Sequence, residues 1–247
     1  MGRPASSDRS GGIASAGVRV LTWNLFHGRA QPPAGRALDR EFGALLAGWP
    51  WDVALLQEVP AWWSPALAAA TGAGQRHVRT SRHELLPIRR FLARRWPDVM
   101  KSWGGGANAI LVRGSRVGAH RHHRLRCLPE RRMLHAVELP EAGIWVANLH
   151  ASVRHQADTA SEISDARARA LEWAAGRPVV LGGDLNLTDP HVPGFLRAAS
   201  SHVDHVYARG LEVAAPGRTL ERALPGSWHP PRLASDHRPL LAELRGP

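Results

Sequence analysis

The 247-residue sequence holds a single cysteine, Cys127, a single lysine, Lys101, and a single tyrosine, Tyr207. One cysteine excludes an internal disulfide and any zinc cluster built from cysteines, and it favours a cytoplasmic location. No run of about eighteen apolar residues occurs, so the sequence predicts no membrane-spanning helix. Residues 1–17 lack the apolar centre of a secretory signal, and we expect them to form a disordered tail before one domain over residues 18–247.

Basic residues outnumber acidic ones by 32 to 21, which gives a net charge of +11, and all but one of the basic residues are arginines. The guanidinium group of arginine binds phosphate through paired hydrogen bonds, so this charge favours a polyanionic partner such as nucleic acid. An arginine-rich composition with much alanine, glycine and proline also results from a GC-rich coding sequence. The charge therefore supports a phosphate-bearing substrate without identifying it.

The segment 179–186 combines an apolar strand with polar residues at its end, and this arrangement recurs along the chain. Residues 179–181 predict the end of a buried strand, and Gly182-Gly183 predicts a tight turn after it. Asp184 and Asn186 follow. A carboxylate can orient or deprotonate a water molecule, and an amide can donate to a developing anion. A purely structural Asp184 in a turn is the alternative.

Other apolar strands also carry polar side chains at or near their ends. An acid such as Glu58 beside a buried strand is costly unless it is paired or bound to a metal ion. For Asn24, a turn residue is the alternative interpretation. The strands and their polar residues are 18–24 with Asn24, 51–60 with Glu58, 143–150 with Asn148 and His150, 201–208 with Asp204, and 240–244 preceded by Asp236 and His237.

Helical patterns alternate with these strands, which is typical of an α/β fold. The helices are expected over 36–48, 62–70, 84–95 and 155–174, the last with a charged outer face that includes Ser161-Glu162 and residues 165–169. Residues 131–139 and 143–150 predict a hairpin, and a loop rich in proline and glycine is expected from Pro216 to Pro231.

Three further groups allow two interpretations each. The first is a run of histidines that could bind a metal ion, although an exposed basic strand is the commoner use. The second is a set of arginines that form either a phosphate-binding groove or a solvated helix face. The third is a set of tryptophans that stack on bases or fill the core. The groups are His120, His122 and His123; Arg89, Arg90, Arg94 and Arg95; and Trp62, Trp63, Trp96 and Trp103.

Carboxylate, amide and imidazole ligands without cysteine favour Mg²⁺ or Mn²⁺ over structural zinc. The same residue types suit attack of water on phosphorus, a reaction that needs charge neutralisation, a base for the water and hydrogen-bond donors to the transition state.

Five short motifs occur in the order found in the endonuclease/exonuclease/phosphatase superfamily, which the chain resembles from about Val18 to Leu244. The resemblance implies a four-layer α/β sandwich of two packed mixed β-sheets flanked by helices, with the site along one end of the sheets. The motifs are Trp23-Asn24, Gln57-Glu58, Asn148-Leu149-His150, Gly183-Asp184-Leu185-Asn186 and Ser235-Asp236-His237.

The resemblance also implies a role for each matching residue. Asp184 is similar to the residue that activates the water, and Asn186 to the amide that holds the water or the phosphate. His237 resembles the histidine that stabilises the transition state or protonates the leaving group, with Asp204 orienting it and His150 as a second phosphate-binding histidine. The implied metal ligands are Asn24, Glu58 and Asp236, and the expected substrate contacts are His27, Asn108 and Arg132.

These motifs predict a monomeric metal-dependent phosphoesterase, and three hypotheses about its function remain open. The first is a nuclease acting on DNA or RNA. The second is a phosphatase or phosphodiesterase for a small phosphorylated metabolite or a lipid headgroup. The third is a non-catalytic nucleic-acid-binding module, which would not require the set Glu58, Asp184, Asp236 and His237. Abasic-site repair enzymes of this superfamily usually carry a Tyr-x-Pro-Asn stretch that this sequence lacks.

Overall fold

The computed structural model describes residues 17–80, 85–100, 106–226 and 228–246. The predicted tail therefore lies outside the described residues apart from Gly17. The α-helices in these ranges are α1 Asp39–Gly48, α2 Ser64–Thr71, α3 Leu86–Arg95, α4 Pro97–Met100 and α5 Gln156–Ala174. The strands are β1 Val18–Asn24, β2 Ala30–Gln31, β3 Val53–Pro60, β4 Gly74–Arg79, β5 Gly106–Val112, β6 His120–Arg126, β7 Arg132–Leu139, β8 Ile144–His150, β9 Val179–Asp184, β10 Leu196–Ser201, β11 Asp204–Arg209, β12 Glu212–Thr219, β13 Leu233–Ala234 and β14 Leu240–Arg245.

Twelve of the strands within the described ranges form two mixed sheets of six. The first sheet has the order β12-β14-β1-β3-β5-β4, and the second has the order β10-β11-β9-β8-β7-β6. Each sheet contains one parallel pair, β1 with β3 and β8 with β9. Parallel neighbours end at the same edge of a sheet, so each pair brings its carboxyl-terminal residues together.

The inner faces of the two sheets form one apolar core. Aliphatic side chains of the first sheet, such as Val53 and Ile110, pack with Val137 and Val180 of the second. Side chains alternate between the faces of a strand, so the outer faces need their own cover. Helices supply it, and the order helix–sheet–sheet–helix confirms the predicted four-layer α/β sandwich.

Aromatic and small side chains attach the helices to the sheets. Phe42 of α1 stacks on Trp23 of β1 with ring centroids 5.1 Å apart. On the opposite side, Ile163 and Ala166 of α5 pack against Leu181 of β9. Burying each large apolar side chain stabilises the fold by roughly 1.5–3 kcal/mol. Among the described residues, no helix is long and apolar enough to cross a bilayer.

Three strands at sheet edges were not predicted, and one predicted strand is divided. Strand β12 includes Pro216 and Gly217, which were expected in a loop; an edge strand tolerates proline, and register shifts mark this one as irregular. Strands β4 and β10 are also edge strands. The expected strand over 201–208 is instead the end of β10, a turn at residues 202–203, and β11.

Two local predictions were wrong for reasons of packing. Gly182 and Gly183 lie within β9 and not in a turn; a Cβ on Gly183 would come 1.8 Å from the carbonyl oxygen of Leu149, so glycine allows β8 and β9 to pair closely. Glu162, expected on the outer face of α5, is buried. It accepts hydrogen bonds from Ser152 and Arg126.

Candidate active site

The strand register gathers the polar strand ends at one edge of the sandwich. His150 is paired with Asp184 across the parallel β8–β9 pair, and Asp184 is paired with Asp204 on antiparallel β11. Asn24 ends β1 in the facing sheet, and its Nδ2 donates to Asp184 Oδ2 at 3.0 Å. Residues from two sheets and distant parts of the chain therefore meet at one point.

Glu58 reaches this point because β3 contains a bulge. The pairing with β5 shifts between Leu56 and Val59, and Glu58 itself has a φ of 49°. A bulge re-aims the side chain of an extra residue, and positive φ is unfavourable for a residue with a Cβ. The fold thus accepts local backbone strain to turn this carboxylate toward the cleft.

Ser235 shapes the loop that carries Asp236 and His237. Its hydroxyl donates to the carbonyl oxygen of Asn24 at 2.6 Å and accepts the backbone N–H of His237 at 3.1 Å. The indole of Trp23 also donates to the His237 carbonyl oxygen, at 3.1 Å. These bonds fix the loop to the end of β1.

The site lies in a cleft of about 1260 Å³. Nine of the eleven residues proposed from the sequence line it: Asn24, His27, Glu58, Arg132, His150, Asp184, Asn186, Asp236 and His237. Asp204 lies behind His237 and contacts it through a hydrogen bond of 2.8 Å.

Asn108, expected to contact substrate, is fully buried and is not among the residues that line the cleft. Its Nδ2 donates to the carbonyl oxygen of Met133 at 3.4 Å. Strand β5 places Asn108 opposite the Glu58 bulge, since its neighbours on both sides pair across that bulge. Strand pairing, which a single sequence does not reveal, thus keeps Asn108 out of the lining of the cleft.

His27 and Arg132 line the cleft but are already engaged with acidic residues. His27 Nε2 lies 3.1 Å from Glu58 Oε2. Burial, aided by the charge of Arg29, lowers the pKa of His27 to about 4, so the neutral ring donates an N–H to Glu58. The guanidinium of Arg132 donates to Glu130 at 2.6 Å.

Burial of two carboxylates leaves their negative charge poorly compensated. Burial raises the pKa of Asp184, against the charge of His237 and the hydrogen bonds from Asn24 and Asn186. Burial also raises the pKa of Glu58, and the charge of Asp236 adds to that effect. No arginine or lysine forms an ion pair with Glu58 or Asp236 in the described ranges.

This donor set fits a divalent cation bound between Glu58, Asp236 and the amide oxygen of Asn24. Such a cation would compensate the charges that raise the pKa of Glu58. Ligand atoms of Asp184, Asp204 and His237 also lie within 4.8 Å of one another. However, the short bond between Asp204 and His237 Nδ1 already occupies one ligand from each, so this trio suits proton handling better than metal binding.

His237 and His150 differ in charge although they share the cleft. Burial alone would lower the pKa of His237, but its hydrogen bond to Asp204 and the charges of three acids raise it to about 9. Burial raises the pKa of Asp204 to about 6. Burial lowers the pKa of His150 well below its usual value. Near neutral pH, imidazolium His237 therefore faces carboxylate Asp204, and His150 is neutral.

Two buried amides beside the site, Asn148 and Gln57, were not among the predicted site residues. Asn148 was expected only as a polar strand-end residue, but it joins the two sheets: its Nδ2 donates to the carbonyl oxygens of Leu56 and Ala109, both at 3.0 Å, and Gln57 Nε2 donates to its Oδ1 at 2.8 Å. Gln57 and Asn148 both belong to motifs that were recognised in the sequence. Membership of those motifs was the signal that could have identified them.

Two of the three groups with open interpretations, the histidines and the tryptophans, are now placed, the second in part. The histidine run forms the basic edge strand β6, in agreement with the preferred interpretation. Trp63 is buried in the core against Phe42 and Trp62 packs beside that core, whereas Trp96 is 49% exposed. Trp103 lies outside the described residues.

Comparison with solved structures agrees with this fold. The chain matches the endonuclease/exonuclease/phosphatase from Bacteroides vulgatus with a TM-score of 0.68 and 15% identity, covering 93% of this chain and 99% of that one. It matches a mannosyl-6-phosphatase from Bacteroides thetaiotaomicron with a TM-score of 0.66 and 15% identity over 92% and 99% of the two chains. For TDP2 from Caenorhabditis elegans the TM-score is 0.67 and the identity 18%, over 94% and 76%.

No curated protein matches the sequence. The sequence model of the Endonuclease/Exonuclease/phosphatase family matches residues 21–237, a span that includes every cleft residue described above. The chain belongs to this family of divalent-metal-dependent hydrolases of phosphoric esters.

Proposed function

We propose that the protein is a Mg²⁺- or Mn²⁺-dependent phosphodiesterase that cleaves nucleic acid. The main support is the composition of the cleft, which is lined by the acidic residues and also by Arg29, Arg131 and Arg132. The cleft volume of about 1260 Å³ exceeds the roughly 300–1000 Å³ of small-molecule sites. An arginine-lined groove of this size suits a phosphate backbone that extends past the reacting bond.

Asp184 is the proposed base for the attacking water. Asn24 Nδ2 donates to its Oδ2 at 3.0 Å, and the backbone N–H of Asn186 donates to its Oδ1 at 3.1 Å, so the carboxylate is held in one orientation. Its raised pKa makes it a better proton acceptor than an exposed aspartate. When bound at Glu58, Asp236 and Asn24, the cation supplies charge neutralisation at the phosphate.

His237 and His150 are the proposed donors to the phosphate. Imidazolium His237 has Nδ1 fixed by Asp204, which leaves Nε2–H for a phosphate oxygen or for the leaving oxygen. The water oxygen bonds to phosphorus, its proton passes to Asp184, and the bond from phosphorus to the leaving oxygen breaks. The leaving oxygen takes a proton from Nε2 of imidazolium His237, so the products are a phosphomonoester and an alcohol.

Incubation with supercoiled plasmid tests this proposal. We expect nicking with Mg²⁺, none with a chelator, and none for Asp184→Asn, whereas the matched exposed variant Asp165→Asn stays active. Nicking that persists in Asp184→Asn would overturn the catalytic assignment. Folded protein that cleaves neither plasmid nor RNA would overturn the nuclease proposal, and binding without turnover would favour the non-catalytic module.

A lipid-borne phosphodiester is the second candidate substrate. Leu128 and Val153 line the cleft and are 64% and 69% exposed. Apolar side chains at a cleft rim contribute nothing to a nucleic-acid backbone but can contact acyl chains. Release of phosphate or headgroup from phospholipid micelles, with the plasmid left intact, would select this candidate over the first.

A further inference from the structure

Exposed large apolar side chains are concentrated in one short segment. Across the part of the chain that the structure describes, eight such side chains are exposed, and five of them lie between residues 85 and 99. We name these five the α3–α4 face: Leu85, Ile88, Phe91, Trp96 and Val99. Exposed apolar side chains concentrated in this way are typical of a surface that meets another phase or molecule.

Helix α3 is amphipathic, and two side chains of its apolar face, Ile88 and Phe91, are exposed. Ile88, Phe91 and Leu92 have the spacing of one helix face, while Arg90 and Arg94 lie on the other side. None of the α3 side chains that the structure describes is buried. Its apolar face therefore has no partner in the core.

The segment is attached beside the cleft. The carboxylate of Asp98 in α4 accepts the backbone N–H of Gly35 at 2.7 Å. Ala93, Arg94 and Pro97 border a small pocket that His27 also lines, and His27 is a cleft residue as well. A surface held by the α3–α4 face would thus lie next to the catalytic cleft.

We propose that the α3–α4 face docks on an anionic lipid bilayer, with the segment lying in the plane of the membrane interface. The charges complement such a surface: in the described ranges, Arg90, Arg94 and Arg95 form no ion pair with an acid, whereas Arg126 and several other surface arginines do. Basic residues beside exposed Phe, Trp and aliphatic side chains are typical of interfacial helices. The inference does not rest on the proposed nuclease activity.

Two other occupants explain less of the segment. Single-stranded nucleic acid would use the arginines and could stack on Phe91 or Trp96, but it would leave Leu85, Ile88 and Val99 in water. A second copy of the chain would cover the apolar side chains, but it would bring two sets of arginines together. Anionic lipid accounts for both the charge and the aliphatic surface.

Flotation of the full chain with lipid vesicles tests the proposal. We expect binding to phosphatidylcholine vesicles that contain about 30 mol % phosphatidylserine and weaker binding to pure phosphatidylcholine. The pair Ile88→Ser and Phe91→Ser lowers the partition coefficient about tenfold or more, and Arg90→Glu with Arg94→Glu lowers it by at least about fivefold per residue.

Matched variants elsewhere separate docking from general changes of polarity or charge. Leu196→Ser removes an exposed apolar side chain of β10, and Arg121→Glu with Arg209→Glu makes the same charge change on β6 and β11. We expect both to float like the native protein. Hydrolysis of a soluble phosphodiester stays unchanged in all of these variants, so failure of the docking proposal is distinguishable from failure of the proposed function.

Three outcomes would overturn the proposal. In the first, folded native protein does not float with phosphatidylserine vesicles, or the α3–α4 variants float equally well. In the second, the variants lose affinity for a short single-stranded oligonucleotide while vesicle binding is intact. In the third, sedimentation shows a dimer that the Ile88 and Phe91 variant dissolves without any effect on vesicle binding.

Discussion

His237 at the cleft and the His120–His135 pair at the lateral edge of the sandwich differ in charge. At the cleft, acidic neighbours raise the pKa of His237 to about 9. At the lateral edge, His120 Nε2 lies 3.3 Å from His135 Nδ1; burial and basic neighbours lower the pKa of His120 to about 4 and that of His135 well below the usual value. Neighbouring acids therefore distinguish the charged His237 from the neutral His120–His135 pair.

The strongest test of this contrast is activity after matched substitutions. His237→Gln removes the imidazolium in the cleft, and we expect phosphodiester hydrolysis with Mg²⁺ to fall by about 10²–10⁴-fold. His120→Gln removes a histidine far from the cleft and leaves the rate unchanged. Initial rates on a chromogenic phosphodiester measure both. If both variants kept native melting curves and lost activity equally, His237 and His120 would not differ in function.

Asp204→Asn tests why His237 is charged. The variant keeps an oxygen for the hydrogen bond to His237 Nδ1 but loses the carboxylate charge, so the pKa of His237 falls from about 9 toward its ordinary value. In chelator, an NMR titration of the imidazole protons measures this shift directly. We expect a loss of activity of about 10–100-fold, as for other residues that act by orienting a catalytic group.

Asp165→Asn on the exposed side of α5 is the control for this charge change. The result would count against the proposed role of Asp204 if the pKa of His237 stayed near 9 in Asp204→Asn. The same holds if both variants lost activity equally.

Most of the site could be predicted because strand ends carry their polar residues to one edge. Asn24, His150 and Asp184 are the last residues of buried strands, and the parallel pairs place them as the pattern suggested. Glu58 was recognised by residue type, but the bulge that aims it depends on pairing with β5. The same pairing keeps Asn108 out of the lining of the cleft.

Some features of the fold could not be predicted from local pattern, because contacts between distant residues decide them. Glu162 has the sequence context of a surface residue, yet Ser152 and Arg126 bind its carboxylate. Strands β4 and β12 lie at sheet edges with few buried side chains. Their apolar alternation is therefore weak, and their strand character comes from neighbouring strands.

The smallest expected effect concerns the His120–His135 pair and stability at acid pH. The folded pKa of His120 is about 4, against about 6.5 in an unfolded chain. The unfolded chain therefore binds more protons between these values, so the stabilising contribution is complete above pH 6.5 and is lost as the pH falls toward 4. Because His120 is partly exposed, we expect a loss of only about 1 kcal/mol from it by about pH 5.

Urea unfolding measures the free energy of unfolding near neutral pH and near pH 5. Comparing its pH dependence in the native chain and in a variant cancels the contribution of the carboxylates, because they titrate in both proteins. His120→Gln should have a shallower acid dependence than the native chain, and exposed His229→Gln serves as the control. The groups that face His120 are His122, Arg76, His77 and His135, and none is an acid that could hold a proton on the ring. Unchanged acid dependence in His120→Gln would mean that the ring is already solvated in the native state. The contrast with His237 would then reflect the acids at the cleft alone.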